Sequence, residues 1–553
     1  MADLEAPRRV LLLVTTGGFT HAAPVLEIGA VLASRGHEIQ FATNAGQESW
    51  ASGYPFIKTV HTVGPAAPED EMEAHYDRMR VWRPEHGFAP MMKSKYLFDR
   101  FWPDAYRKMR ELCADQATRP SIVVADFFAE HAARDMLHQF AVQVACVWPQ
   151  MPYGMAPCSY HPGQPGFQLE MTVTSEHASL ASRFRNELVL VRALPELLYY
   201  IWFTKRMRKA AGVEYKLPIQ TKPDYLVLVN SFFGLEAPKE LPPLMAAVGP
   251  ILSDSYPPLD DDLSAFLDAH DKTVYISLGT HICLPGSDID NIITGLLRAL
   301  DAGHINGVIW AVPRRPRANF DPTKTFPRAD GSTVSAADVL GDKHPDFRLP
   351  VFAPQRAVLA HPNTALFLTH GGGSSANEAL FHGVPVFVVG YFFDQLCNSA
   401  RLIQAGVGLS LDKGELKPGL IAETIAEIRR DADGSVARNV HRMQRIAHIA
   451  SRRKHLAADL IEEVMADQEL RFQAGVEQRP MHLQTADVRM PLWKARNWDM
   501  WLVTLTALAA GSLAGRWMLR DGWKRLPAVL GYSVGVVKGY SLILFEKRFQ
   551  GWK

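Results

Sequence analysis

Short apolar runs alternate with longer segments of helical periodicity along most of the chain. The first unit has an apolar run at residues 10–14, a glycine-containing turn at 15–20, a helical pattern at 22–34 and a second apolar run at 38–43. Nearly continuous apolar strands separated by helices are typical of parallel sheets that helices cover on both faces. The pattern therefore predicts an α/β fold.

Two sets of such strands follow each other, and a polar segment separates them. Residues 250–265 are rich in Pro, Asp and Ser, which is typical of an interdomain linker. The other expected strands are 122–125, 142–148, 225–230 and 246–249 in the first set, and 273–278, 307–312, 348–352, 365–369 and 386–389 in the second. We expect two doubly wound domains with ligands bound outside the carboxyl ends of their strands.

Composition and charge limit the kinds of partner. The 553 residues are 47% apolar and 21% charged, as in an ordinary globular protein, and the net charge of +1 argues against nucleic acid as a general partner. Five scattered cysteines without a CxxC pair favour reduced thiols and no metal site. The run at 10–14 is too short for a signal-peptide core, so we expect the globular domains to face the cytosol.

The segment 352–395 carries the clearest candidate chemistry. A strand runs into His370, three glycines and two serines, and a helical pattern follows. Such a turn presents backbone N–H groups and a helix N-terminus to an anion, and the missing Cβ atoms let backbone approach a diphosphate closely. Glu378 offers acceptors for ribose hydroxyls, and Asp394 with Gln395 suits sugar hydroxyls. The layout fits a nucleotide-diphosphate sugar.

This segment resembles the donor-binding signature of the UDP-glycosyltransferases. The matching positions are Ala353-Pro354-Gln355, Val358-Leu359, His361-Pro362, Thr369-His370, Gly372, Ser375, Glu378, Gly383-Val384-Pro385 and Asp394-Gln395. The resemblance implies the GT-B fold, in which two Rossmann-like domains face each other across a cleft. It also implies transfer of a sugar from a UDP-sugar, which is a co-substrate, without any further cofactor.

The resemblance assigns roles within the signature. The residues expected to bind the UDP-sugar, together with the Gly-Thr pair that follows the strand at 273–278, are Gly279, Thr280, Phe352, Ala353, Gln355, His370, Gly372, Gly373, Ser374, Ser375, Glu378, Asp394 and Gln395. The turn at 370–375 would hold the diphosphate, Glu378 the ribose and the pair 394–395 the sugar. Phe352 stands where the family commonly has a tryptophan stacked on uracil, and a phenyl ring can also stack.

The donor sugar stays open at this point. The family often has an Asn where this chain has Ser374, and plant members have a Trp where it has Gly373. The closing pair Asp394-Gln395 favours UDP-glucose, with UDP-glucuronate and UDP-N-acetylglucosamine as alternatives.

A histidine and an aspartate form the candidate catalytic pair. His21 follows the first strand and Asp126 follows the strand at 122–125, so both lie at carboxyl ends. Transfer to a hydroxyl needs a base near the acceptor oxygen, and a carboxylate can orient that base. The resemblance matches both positions, Asp126 within a D-x-F pattern. We predict in-line attack with inversion, and stabilisation of the leaving UDP by the turn at 370–375 and the helix dipole rather than by a metal ion.

The expected domain organisation combines these observations. It comprises an acceptor-binding domain at 1–252, a linker at 253–268, a UDP-sugar-binding domain at 269–445, a helix at 446–475 that returns to the first domain, as the resemblance implies, and a tail at 476–553. Amphipathic patterns at 419–433 and 440–467 predict charged helices.

The tail has the features of a membrane-associated segment. Residues 494–553 carry ten Lys or Arg against three Asp or Glu, and the tail holds six of the twelve tryptophans. The apolar stretch at 500–519 has about the length of one bilayer span, and a second apolar run lies at 526–545. We expect a membrane-docked hairpin or a single span with membrane lipids as partners. The alternative is a pair of buried helices that cover the globular body.

Another apolar and then basic segment lies at 193–208. Core packing, a wall of the acceptor pocket and contact with a bilayer are all compatible with it. Together with the tail it favours a lipophilic acceptor such as a sterol, a lipid alcohol or a phenol.

The leading interpretation is an inverting, metal-independent UDP-glycosyltransferase that acts on a hydrophobic small molecule. One alternative is a UDP-sugar epimerase or hydrolase on the same fold, which would need further acidic residues near the sugar. The other is a non-catalytic membrane protein that binds a lipid or nucleotide, and the presence of both His21 and Asp126 argues against it.

Overall fold

The computed structural model describes residues 7–152, 155, 178–215, 222–473 and 476–520. The chain forms two compact units, Met1–Gln484 and Thr485–Lys553. Two parallel sheets, each covered by helices, lie in the first unit. This is the α/β GT-B fold with two Rossmann-like halves, as expected.

The first sheet is made from the N-terminal half of the chain. Its described strands are β1 (Arg9–Val14), β2 (Glu38–Thr43), β3 (Ile57–Thr62), β4 (Ile122–Asp126), β5 (Gln143–Trp148), β6 (Leu226–Val229) and β7 (Met245–Ala247). They are parallel, in the order β3-β2-β1-β4-β5-β6-β7. The order reverses between β1 and β4, so a crevice opens at the carboxyl ends of these two neighbours.

Helices of the N-terminal half cover this sheet. They are α1 (Phe19–Ser34), α2 (Glu69–Arg80), α3 (Ala89–Asp99), α4 (Trp102–Ala114), α5 (Glu130–Phe140) and α6 (Leu180–Ala210). Apolar side chains fill both faces of the sheet, for example Leu12 on one face and Leu13 on the other, each fully buried. Burial on both faces explains why the strands are apolar at nearly every position.

The second sheet repeats this plan. Its strands are β8 (Thr273–Ser277), β9 (Gly307–Trp310), β12 (Phe347–Arg348), β13 (Thr364–Thr369), β14 (Val386–Val388) and β15 (Gly408–Ser410), and a separate antiparallel pair is formed by β10 (Thr325–Pro327) and β11 (Thr333–Ser335). The sheet is parallel, in the order β12-β9-β8-β13-β14-β15. Its order reverses between β8 and β13, which places a second crevice at their carboxyl ends.

The helices that surround the second sheet continue the chain order. They are α7 (Asp261–Ala269), α8 (Gly286–Asp301), α9 (Arg314–Arg317), α10 (Ala336–Leu340), α11 (Gln355–Ala360), α12 (Gly373–His382), α13 (Asp394–Gln404), α14 (Pro418–Arg430) and α15 (Ser435–Ser451). The helix α16 (Lys454–Arg471) and the short strands β16 (Phe472–Gln473) and β17 (Val476–Glu477) end the first unit.

Several elements differ from the sequence-based expectation. The strand expected at 348–352 is reduced to β12 because Pro350 has no N–H to donate to the ladder. The edge strand β3 was not expected because most of its side chains are polar or exposed. The segment expected to be a linker, 253–268, contains most of α7, whose Leu263 and Leu267 are buried in the core of the second half.

The single helix expected at 440–467 is two helices, α15 and α16, which meet at residues 452–453. The second of them crosses to the N-terminal half. It packs against α1, β5 and β6, and its Ala457 and Ile461 are fully buried in the core that contains β1.

Helix α6 contains the apolar segment at 193–208. Core packing accounts for few of its apolar side chains, because Val189 and Ala193 are buried whereas most of the others are exposed. The exposed ones are Leu180, Phe184, Leu188, Val191, Leu194, Leu197, Leu198, Tyr199, Ile201 and Trp202. The basic end of the helix is anchored by Arg208, whose Nη2 donates to Asp135 Oδ1 over 2.6 Å.

The described part of the second unit contains α17 (Leu492–Ala495) and α18 (Trp498–Arg520). The helices in the described part of the chain do not combine the length and the hydropathy that a membrane crossing requires, so the span expected at 500–519 is not supported. Threonines, glycines and a serine interrupt the leucines of this stretch, and Arg516 lies within it. The second apolar run, 526–545, lies outside the described residues.

Candidate active site

The predicted pair His21 and Asp126 meets at the crevice of the first sheet. Asp126 is the last residue of β4, and His21 lies in the first turn of α1, after the turn that follows β1. His21 Nδ1 lies 2.9 Å from Asp126 Oδ1, and Asp126 Oδ2 accepts a 2.9 Å hydrogen bond from the N–H of Phe128. A Cβ on Gly17 would lie 2.3 Å from the His21 ring, so only glycine leaves room for the imidazole there. The contact with Asp126 holds the ring through Nδ1, and the other ring nitrogen, Nε2, takes no part in it.

The surroundings favour the protonated form of His21. Burial opposes the imidazolium, but the charge and hydrogen bond of Asp126 and the charge of Asp394 outweigh it and raise the pKa of His21. Asp126 is only 2% exposed, which strengthens its interaction with the ring. The pair can therefore accept a proton on the imidazole and stabilise the resulting cation.

Aromatic side chains flank the imidazole on one side. The ring centroids of Phe127 and Phe128 lie 5.5 and 5.1 Å from that of His21. Phe98 of α3 makes an edge contact with Phe128 at 5.1 Å, and Trp148 contacts Phe127 at 5.4 Å. These rings form an apolar wall next to the candidate base.

The glycine turn lies at the crevice of the second sheet. His370 follows β13 directly. Its imidazole packs so closely between Gly279 and Gly372 that a Cβ would lie 2.9 Å from its Nε2 at the first glycine and 2.5 Å at the second. Gly372 is the N-cap of α12 and has no side chain that could bond the first N–H groups of that helix, among which the N–H of Gly373 donates to the Asp394 carboxylate. Burial lowers the pKa of His370 to about 4, so the ring is neutral near pH 7. The turn can hold an anion through backbone N–H groups and a neutral imidazole.

The residues expected to bind ribose and base lie beside this turn. Gln355 Nε2 donates to Glu378 Oε2 over 2.7 Å and to Ser375 Oγ over 3.3 Å, which orients the carboxylate. Burial raises the pKa of Glu378 despite the bond from Gln355. Ala353 is buried, whereas Phe352 is 75% exposed and presents a free ring face.

The residues expected to bind the sugar begin α13. Burial raises the pKa of Asp394, whose Oδ2 accepts a 3.1 Å bond from Asn398 Nδ2. Gln395 is 7% exposed, and its Oε1 accepts from the backbone N–H groups of Tyr391 and Phe392 over 3.1 and 3.3 Å. Gln395 therefore uses its carbonyl oxygen to fix the preceding loop.

The two crevices face each other. A Cβ on Gly373 would lie 3.8 Å from the carbonyl oxygen of Pro149 in the first half and 3.9 Å from Asp394 Oδ2 in the second. The charge of Asp394 also contributes to the raised pKa of His21, so this carboxylate of the second half lies near the candidate base. The predicted residues of the two halves thus lie around one cleft. Thr280 is exposed beside it.

Sequence reasoning missed a contribution from α2. His75 and Tyr76 of this helix stack on rings of the second half, among them His281, which follows the predicted Gly279-Thr280 pair. The surrounding sequence is strongly charged and predicts a solvated helix. A local signal for this contact is therefore lacking, apart from the adjacent aromatic rings.

Comparisons with known proteins agree on the family. The sequence model of the UDP-glucoronosyl and UDP-glucosyl transferase family matches residues 170–465. The UDP-glycosyltransferase stmC of Aspergillus ustus is 42% identical over 529 residues, which cover 94% of this chain and 98% of that protein. The UDP-glycosyltransferase FPY2 of Fusarium mangiferae is 40% identical over 524 residues, which cover 90% and 95%.

A solved structure shares the fold. It is a complex between 3,4-dichloroaniline and a UDP-glucosyltransferase from Polygonum tinctorium capable of glucosylating indoxyl. It matches with a TM-score of 0.54 at 19% identity and covers 83% of this chain and 99% of that chain. From these matches, the chain belongs to the UDP-glucoronosyl and UDP-glucosyl transferase family and is an enzyme that transfers a sugar from a UDP-sugar.

Proposed function

We propose that this enzyme is an inverting UDP-glycosyltransferase with His21 as its general base. His21 Nε2 would take the proton of an acceptor hydroxyl as the acceptor oxygen bonds to the anomeric carbon and the bond from that carbon to UDP breaks. Asp126 would orient the ring and stabilise the imidazolium. The observation that carries the proposal is the 2.9 Å contact between His21 and Asp126 at a crevice that faces the glycine turn.

The departing UDP would be stabilised by the turn at 370–375. Backbone N–H groups in the first turn of α12 and the neutral imidazole of His370 support this role, because UDP gains negative charge as its bond to the sugar breaks. We infer that these groups suffice without a metal ion. Activity that survives removal of divalent cations by EDTA supports this inference, and activity that then requires added Mg²⁺ or Mn²⁺ contradicts it.

We propose UDP-glucose as the donor. Asp394 lies close enough to His21 to act on its charge, so a hexose held by this carboxylate would have its anomeric carbon near the base. The solved UDP-glucosyltransferase of Polygonum tinctorium supports glucose by analogy of fold alone. UDP-glucuronate and UDP-N-acetylglucosamine are the competing donors in the test below.

The acceptor is proposed to be a hydrophobic small molecule with a hydroxyl group, such as a phenol, sterol or lipid alcohol. The apolar wall of Phe98, Phe127 and Phe128 beside His21 supports this class, because planar or hydrophobic molecules bury apolar surface against such rings. No particular acceptor follows from these residues.

The test measures UDP release from three donors with a panel of phenols, sterols and aliphatic alcohols. We expect release from UDP-glucose that depends on acceptor, and a β-linked product if the reaction inverts the α-linked donor. His21→Ala should abolish transfer and leave the Kd for UDP within about twofold. The exposed His86→Ala is the matched control, with unchanged turnover. Free glucose released at the same rate without any acceptor would indicate a hydrolase instead, and full activity of His21→Ala would exclude the proposed base.

A further inference from the structure

Helix α2 belongs to the N-terminal half by sequence and to the C-terminal half by packing. Its Tyr76 and Met79, together with Trp82 just beyond it, are buried in the same apolar cluster as Ile276 of β8 and Phe392. These residues of α2 are 9% exposed or less. The helix is therefore a structural bridge between the two halves.

Ring contacts join α2 to residues 391–393, the loop that precedes Asp394 and Gln395. Tyr76 stacks on His281 with centroids 4.1 Å apart and planes at 13°, and on Phe392 at 5.7 Å and 30°. His75, which is 1% exposed, stacks on Phe393 at 5.9 Å and 26°. Adjacent residues of one helix thus hold the adjacent phenylalanines that precede Asp394.

Polar contacts reinforce the same interface in the middle of α2 and just beyond its C-terminal end. Arg315 of the second half pairs with Glu73 at 2.8 Å and with Asp77 at 3.2 Å. Beyond the helix, Lys413 Nζ donates to the carbonyl oxygens of Trp82 and of Tyr391. The lysine thereby ties the end of the α2 segment directly to the loop.

This loop needs external support. Phe393 has φ 51° and ψ −132°, a backbone conformation that a bulky residue adopts only when its surroundings impose it. Phe393 is the N-cap of α13, and Asp394 is the first residue of that helix. Any relaxation of Phe393 would consequently turn the Asp394 carboxylate relative to the cleft.

We propose that His75 and Tyr76 are positioning residues for the donor sugar. They hold Phe392 and Phe393 in the conformation that aims Asp394 into the cleft, so the sugar site is complete only when α2 is docked on the second half. Recognition of the sugar is thereby coupled to the closed arrangement of the two halves. This inference rests on the proposed role of Asp394 as a sugar ligand.

The test compares binding of UDP-glucose with binding of UDP by calorimetry, in the full-length protein. Tyr76→Leu removes the stacked ring and should weaken UDP-glucose at least tenfold while the Kd for UDP changes less than twofold. KM for UDP-glucose should rise more than kcat falls. Tyr76→Phe, which keeps the ring, should restore most of the affinity. Equal loss of UDP and UDP-glucose, or no loss of either, would overturn the proposal.

Two further variants separate positioning from general weakening of the interface. Met79→Ala removes a fully buried side chain from the same face of α2 and should lower the melting temperature without changing the ratio of the two Kd values. Lys413→Met removes the hydrogen bond to the carbonyl oxygen of Tyr391 and should shift the ratio of the two Kd values in the same direction as Tyr76→Leu. This variant keeps the proposal testable if Tyr76→Leu does not fold. An unchanged ratio in Lys413→Met would contradict it.

Asp394→Asn distinguishes this inference from the proposed function. If the variant loses affinity for UDP-glucose and Tyr76→Leu does not, the positioning role alone is wrong. If Asp394→Asn binds UDP-glucose as the unaltered enzyme does, the assignment of Asp394 to the sugar is wrong and the positioning role falls with it.

Discussion

Opposing effects act on the pKa of His21. Burial favours its neutral form, and the carboxylates of Asp126 and Asp394 favour the imidazolium more strongly, so its pKa is raised. A base must be neutral before it accepts a proton, which links activity to pH.

Three glycines make room for the two imidazole rings of the site. Gly17 leaves space for the ring of His21, and Gly279 and Gly372 leave space for that of His370.

The pH dependence of kcat/KM should report His21. We expect activity to rise with pH through an apparent pKa above the ordinary histidine value of about 6.5. Asp126→Asn removes the charge that raises this pKa, so the acidic limb should move to lower pH while kcat falls roughly 10²- to 10⁴-fold. Rate profiles from pH 5 to 9 check both effects, and an acidic limb that stays in place would show that another group titrates.

Gly372→Ala should weaken UDP binding. The added Cβ would lie 2.5 Å from His370 Nε2, and that ring is already confined by Gly279 on another side. Displacement of the turn should raise the Kd for UDP about tenfold or more, or about 1.4 kcal/mol. Gly53→Ala is the control, because its Cβ would meet open space. A Kd equal in both variants would argue against a diphosphate site at this turn.

At the scale of elements, strand ends and helix starts decide where chemistry is possible. The β1–α1 and β13–α12 connections place His21 and the glycine turn at the carboxyl ends of their sheets. In helix α6 most of the apolar side chains are exposed rather than packed in the core. Its sequence of leucines and aromatic residues does not by itself distinguish a buried helix from an exposed one.

Substitutions along α6 should separate buried from exposed apolar positions. Leu198→Gln alters a side chain that is 57% exposed and should change the free energy of unfolding by about 0.5 kcal/mol or less. Val189→Ala alters a side chain that is 1% exposed and should cost about 1–2 kcal/mol. Urea denaturation of both variants measures the difference, and equal losses would mean that Leu198 is covered.

At the scale of the whole molecule, several contacts among the described residues hold the two halves together. Helix α16 returns to the first sheet, α2 packs into the second half, and a buried ion pair joins Arg401 of α13 to Glu236 over 3.0 Å. The side chains of this pair are 1% and 2% exposed. Glu236 also accepts a hydrogen bond from the N–H of Met151, so it organises the first half beside the cleft.

Arg401→Met should destabilise the first unit by about 3–5 kcal/mol, because Glu236 is left buried without its cation. Glu236→Gln combined with Arg401→Met should recover a good part of this loss, since no buried charge then remains. Thermal or urea unfolding of the single and double variants forms the test. A double variant no more stable than Arg401→Met would contradict this account.

The sequence by itself determined the fold class, most strand positions and the glycine turn between β13 and α12. These features are local, because strand periodicity and a glycine turn follow from neighbouring residues. It also placed His21 and Asp126 at carboxyl ends, and the resemblance paired them. Where strands ended early or a helix broke, a single residue or a cap decided the boundary, as Pro350 does for β12.

Only the tertiary structure decided which distant segments meet. The sequence of α2 is strongly charged and predicts a solvated helix, and it carries no information about which half of the molecule buries Tyr76 and Met79. The positive φ of Phe393 and the exposure of α6 likewise depend on neighbours far away in sequence. Burial is a property of a side chain, whereas a contact belongs to a pair, and one sequence alone specifies the first much more fully than the second.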